Sequence, residues 1–123
     1  MSNHRLLLIE DSIEIQDLLR FVFQANGFQV DVANDGLEAL EKNLNDYDIL
    51  LLDLQMPNMD GRSFLKVVRQ TQGLTVPILM FTSHIKEGLH AELIEAGANN
   101  VITKPARGQK LITEVFRLIR ESE

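Results

Sequence analysis

Three runs of four apolar residues, "LLLI" at 6–9, "ILLL" at 49–52 and "ILMF" at 78–81, limit most tightly what this chain can fold into. Each is continuous rather than alternating, the pattern of a strand covered on both faces, as in a parallel sheet. Each also runs straight into a polar residue: Glu10, Asp53 and Thr82 respectively. Two shorter and more polar segments, "QVDVA" at Gln29–Ala33 and "NVIT" at Asn100–Thr103, suit the edges of such a sheet.

Helical patterns separate the strands. Ile15, Leu18, Leu19 and Val22 fall at i, i+3, i+4 and i+7, and Leu111, Ile112, Val115, Leu118 and Ile119 repeat that spacing near the C-terminus. Gly27, Gly73 and Gly97 stand where such helices should stop, and Asp35 and Asp60 where helices should begin. The order βαβαβαβαβα with short, right-handed connections predicts an α/β fold, an open five-stranded parallel sheet with helices on both faces. With the polar strands at the edges, the strand order is 2-1-3-4-5, the flavodoxin-like doubly wound (βα)5 arrangement, whose ligands bind at the carboxyl ends of the strands.

At 123 residues the chain is expected to form one domain, 1–123, with one buried core. A formal charge of -6 argues against a direct nucleic-acid surface. The absence of Cys excludes disulfides, thiolate catalysis and Cys-based zinc sites. Apolar runs of four residues are too short for membrane insertion or a signal peptide, so a cytoplasmic protein is expected.

In this topology Glu10 and Asp11, Asp53, Thr82 and Lys104 converge on one edge of the sheet. Like charges about 4 Å apart cost about 4 kcal/mol per pair at an effective dielectric of about 20, so three acids together call for a counter-charge. An all-oxygen set suits Mg2+ better than Zn2+, and Lys104 approaches from the opposite side. A carboxylate beside Mg2+ and an ammonium can attack a phosphoryl group, with the Thr82 hydroxyl donating to a phosphoryl oxygen.

The stretches "LLLIEDS", "ILLLDLQMPNMDG", "PILMFTS" and "AGANNVITKP" together resemble the response-regulator receiver domains of two-component, or phosphorelay, signalling, and the resemblance spans essentially the whole chain. It implies that Asp53 is the phosphoacceptor and a metal ligand, that Asp11 ligates Mg2+ directly and Glu10 through water, and that Gln55 lends its main-chain carbonyl. It further implies Thr82 as the switch hydroxyl, Lys104 as the phosphate-pairing cation and a cis peptide before Pro105. The implied donor is a histidine kinase or histidine phosphotransfer protein, docking near Ile13 and the Pro105, Ala106 and Arg107 loop. The implied output partner reads the face of helix 4, strand 5 and helix 5. Such a domain is a signalling phosphoacceptor rather than an enzyme, at most promoting its own phosphorylation and dephosphorylation. Departures from the family pattern are Val101 for the usual aromatic, Ala106 for a larger apolar residue, and the Arg107 and Gly108 turn. Gln55 and His84 occupy positions that in the family tune phosphoryl lifetime.

Plainer roles compete for some residues. Glu10 and Asp11 could merely cap a helix, and Asp60 reads as a turn and cap. His4 and His90 read as surface residues, His84 as a remote general-base candidate, and Met56, Met59 and Met80 as packing. Two other functions share parts of the pattern. A haloacid-dehalogenase-like phosphatase also uses a strand-end Asp with Mg2+, but wants a second Asp where Gln55 stands. A flavin or nucleotide site wants a phosphate cradle after strand 1, where Glu10 and Asp11 stand instead.

Overall fold

The computed structural model describes residues 3–83, 86–104 and 108–123. Five strands, β1 (Arg5–Ile9), β2 (Gln29–Ala33), β3 (Ile49–Asp53), β4 (Ile78–Thr82) and β5 (Asn100–Thr103), form one parallel sheet in the order β2-β1-β3-β4-β5. Between and after them run α1 (Ile13–Gln24), α2 (Gly36–Leu40), α3 (Gly61–Lys66), α4 (Leu89–Ala96) and α5 (Gly108–Ser122). The predicted order is therefore the observed one. β3 and β4 each extend one residue beyond their apolar runs, taking Asp53 and Thr82 into the ladder itself.

The pleat divides each apolar run between two cores. Leu7, Ile9, Leu50, Leu52, Ile78 and Met80 face Ala39, Phe64, Leu65, Leu89 and Leu93 of α2, α3 and α4. Leu6, Leu8, Ile49, Leu51, Leu79 and Phe81 face Leu19 and Phe23 of α1 and the Leu111, Ile112, Val115, Leu118 and Ile119 stripe of α5. β3 and β4 are buried throughout and β1 from Leu6 onward, whereas β2 and β5 keep exposed positions, as their polarity predicted.

Asp35 and Asp60 cap α2 and α3, each accepting a hydrogen bond from the third amide along, Glu38 N at 2.8 Å and Ser63 N at 2.9 Å. Gly97 ends α4 with φ +120°, and a Cβ there would lie 2.5 Å from Cγ of Arg69, so both its conformation and its space demand glycine. Arg69 lies in a π-helical turn, Val67–Thr71, that continues α3 and was not anticipated. Its guanidinium donates to the carbonyls of Gly97 and Leu74 and to Oδ1 of Asn99, each at 2.9 Å.

The face assigned to helix 1 requires a correction. Leu18 is 60 % exposed, and the buried stripe is Gln16, Leu19 and Phe23, flanked by Ile15 and Val22. Ile13 and Phe21 are also exposed. His4 departs from its surface reading as well, since it is half-buried against the rings of Phe28 and Phe116. His90 is exposed, Met80 is fully buried, and Met56 and Met59 pack against the core of the α2, α3 and α4 face. Among the described residues, no helix is long and apolar enough to cross a membrane. The readings of His84, Pro105, Ala106 and Arg107 lie outside the described residues.

Candidate functional site

The carboxyl ends of β1 and β3 are neighbours, because Ile9 pairs with Leu52 in the ladder. The residues that follow, Glu10, Asp11 and Asp53, each offer a carboxylate oxygen within 4.8 Å of the others. Glu10 is 1 % and Asp53 6 % exposed, and Asp11 is at the surface. The capping alternative for the first two acids is disfavoured, since Ser12 does that work: its hydroxyl accepts from Ile15 N at 3.4 Å. Glu10 instead accepts from the Ser12 amide at 2.9 Å.

Lys104 follows β5 and reaches across the end of β4. Its ammonium donates to Oε1 of Glu10 at 2.9 Å and lies 3.4 Å from Oδ1 of Asp53. The lysine therefore pairs more closely with Glu10 than with Asp53, the partner foreseen from the sequence. It also sits 4.5 Å from the centroid of the Phe81 ring, a cation–π contact that holds the ammonium over the sheet end. Thr82, at the end of β4, is 3 % exposed, and its carbonyl accepts from the Lys104 amide at 2.7 Å.

Burial pushes the Asp53 carboxyl above the usual Asp range; Lys104 and the amides of Leu54 and Gln55, all donating to it or facing it, pull the other way. Burial likewise raises Glu10, opposed by the Ser12 amide and Lys104 and reinforced by Asp53. Among the described residues, Lys104 thus pairs with the two desolvated acids of a group of three. Gln55 lies in the exposed loop after β3. The loop returns tightly to the strand end: the Gly61 amide donates to Leu54 O at 2.8 Å, and a Cβ on Gly61 would stand 2.6 Å from the carbonyl oxygen of Asp53. Only glycine allows α3 to start that close. Val101 is half-buried in β5 and packs on the core.

The fold that carries this edge, with acids at the ends of two adjacent central strands and a threonine and lysine at the next two, has counterparts among known proteins. The chain belongs to the response-regulator receiver domain family, whose model matches residues 6–116. Among curated relatives, a CpxR homolog of Haemophilus influenzae, described as a transcriptional regulatory protein, is 36 % identical over 118 residues, covering 96 % of this chain and 51 % of the relative. The transcriptional regulatory protein ResD of Bacillus subtilis is 32 % identical over 119 residues, covering 96 % and 49 %. The chain thus spans about half the length of the curated relatives it matches. Of solved structures, the receiver domain of the Francisella response regulator 1452 superposes with a TM-score of 0.92 at 31 % identity, covering 98 % of this chain and all of that one. The chemotaxis protein CheY4 of Vibrio cholerae superposes at 0.85 with 33 % identity, covering 95 % and 99 %. This membership makes the chain a signalling module and displaces the dehalogenase-like and flavin alternatives.

Proposed function

We propose that Asp53 accepts a phosphoryl group from a phosphohistidine of a kinase or phosphotransfer protein, in a reaction that depends on Mg2+. The observation that carries this reading is the convergence on Asp53 of Glu10 and Asp11 within metal-sharing distance and of Lys104 at 3.4 Å. The donor set fits the cation: it is all oxygen, two of its acids are desolvated, and Lys104 alone does not balance the charge. Glu10, Asp11, Asp53 and the Gln55 carbonyl would hold Mg2+, which when bound neutralises charge on the phosphoryl oxygens and their acid neighbours.

In the transfer, an Asp53 carboxylate oxygen forms a bond to phosphorus as the phosphorus–nitrogen bond to histidine breaks. The bonding pair stays on the imidazole nitrogen, which takes up a proton. Lys104 moves its ion pair onto the phosphoryl oxygens, and the Thr82 hydroxyl donates to one of them. The loop amides of Leu54 and Gln55 hold the carboxylate in place and favour its ionised form against the effect of burial. Because Lys104 is bonded through its main chain to Thr82, a shift at one is passed to the start of the β4–α4 segment and to β5, and so to the face of α4, β5 and α5 offered to an output partner. With Val101 at the usual aromatic position, that shift proceeds here without an aromatic rotor. Hydrolysis of the acyl phosphate by the same site would reset it. The reading takes residues 1–123 as one receiver module acting in the cytoplasm.

Incubation with acetyl phosphate and MgCl2 should add one phosphoryl mass to the chain. EDTA or Asp53→Asn should abolish the adduct. An adduct that persists in Asp53→Asn would overturn the assignment.

A further inference from the structure

Three neighbouring loops at the carboxyl edge, those after β1, β2 and β3, are bonded together, and only two of them carry the acids. The third, the β2–α2 turn of Asn34, Asp35 and Gly36, adds no group to the acid cluster but is bonded to both of its neighbours. Toward the β1–α1 loop, the buried amide of Gln16 donates to the carbonyl of Glu10 and to Oδ1 of Asn34. Toward the β3–α3 loop, Asp35 uses its two carboxylate oxygens differently. Oδ1 caps α2 through Glu38 N, whereas Oδ2 accepts from Nδ2 of Asn58 at 2.6 Å.

Capping needs only one of those oxygens. The other reaches a residue 23 positions away in the loop that contains Gln55. Asn58 sits there at φ +67°, the only non-glycine with positive φ among the described residues, a conformation that persists only where surrounding bonds dictate it. The seat is close as well: Gly36 N donates to Met59 O at 3.3 Å, and a Cβ on Gly36 would lie 2.9 Å from Cγ of Met59.

We infer that Asp35 and Asn58 are positioning residues for the divalent-cation site, fixing the β3–α3 loop so that its oxygen ligand and Asp53 stand at the right separation from Glu10 and Asp11. Neither residue touches the cation. The inference rests on the metal reading above and deepens it. Mg2+ tolerates little departure from octahedral geometry, so a loop that drifts costs affinity even when every ligand is retained.

Two variants test this. Asn58→Gly keeps the left-handed backbone accessible while deleting the amide, and Asp35→Ser keeps the cap while deleting the second oxygen that meets Asn58. Titration calorimetry with MgCl2 on metal-free protein should show the dissociation constant rise about ten-fold in each. Melting temperature in EDTA should be unchanged or raised in Asn58→Gly. Phosphorylation by acetyl phosphate should need correspondingly more Mg2+ yet reach the wild-type rate at saturation. The double variant Asp35→Asn with Asn58→Asp restores a donor facing an acceptor and should recover affinity. Mg2+ bound by both single variants within about two-fold of wild type would overturn the inference alone, as would a folded double variant that regains nothing. A wild-type chain that binds no Mg2+ would overturn the metal reading together with it.

Discussion

The two ends of the sheet treat charge in opposite ways. Toward the amino ends of the strands, charges and polar groups are matched one to another. Asp31 accepts from Tyr47 Oη at 2.6 Å and Arg5 Nη2 at 3.3 Å, Asp48 accepts from Arg5 N at 2.8 Å, and Arg69 spreads its donors over three oxygens. At the carboxyl ends, among the described residues, three acids gather and two of them share one lysine. A matched end stabilises the fold as it stands; an unmatched end is stable only in part until something positive arrives.

The contrast can be broken most severely at the matched end. Arg69→Ala removes the guanidinium from two carbonyls and leaves the Asn99 amide oxygen with the Ile78 amide, and should cost about 3 kcal/mol in urea unfolding, with no effect on the affinity for Mg2+. At the unmatched end the sign reverses. Asp53→Asn should stabilise the metal-free protein by about 1 kcal/mol, because it removes a buried like charge beside Glu10. Saturating Mg2+ should cancel that advantage by stabilising the wild type alone.

The pH dependence follows the same asymmetry. Glu10 and Asp53 have carboxyls raised in the folded state, so the metal-free fold holds their protons more tightly than the unfolded chain does. Their stabilising effect is complete below the ordinary carboxylate range and is lost as pH climbs through the raised values. Urea midpoints in EDTA should fall over that climb, and less steeply in Asp53→Asn; an unchanged slope would contradict the crowding argument.

A smaller effect, confined to alkaline solution, belongs to Tyr47. Burial, the bond to Asp31 and that residue's charge push its phenol up to about 12. With one Tyr and no Trp in the chain, phenolate absorbance reports it cleanly. The midpoint should lie near 12, and stability that is full below the ordinary Tyr value should drain as pH rises through that midpoint. Asp31→Asn should lower the midpoint. Least affected should be Arg62→Ala, which removes the exposed pair with Glu92 and should leave the unfolding curve where it was.

Much of this was legible in the sequence because it depends on composition along short stretches. Continuous apolar runs identified the central strands, polar strands identified the edges, and the order of elements then delivered Glu10, Asp11, Asp53, Thr82 and Lys104 to one edge. What was not legible depends on distances between remote residues. Hydrophobic spacing put Leu18 on the inner face of α1, but the helix buries Gln16 instead, because that amide satisfies a carbonyl of one loop and a side chain of another. Periodicity counts apolar residues and is blind to such a bond. Lys104 was matched to Asp53, while its shorter contact is with Glu10, a difference of half an ångström that no spacing encodes. The π-helical turn holding Arg69 leaves no apolar signature either, for its purpose is to aim one guanidinium at the α4–β5 connection.

Gly61 carries a lesson for anyone wishing to transplant this chemistry. A designer copying this edge onto another sheet would begin with the carboxylates, the lysine and the hydroxyl. That parts list omits a specification written as empty space: the absent methyl of Gly61, whose volume is filled by the carbonyl of Asp53 and the tip of Met80. A graft with alanine there would reproduce every functional group and still misplace the strand end that bears Asp53.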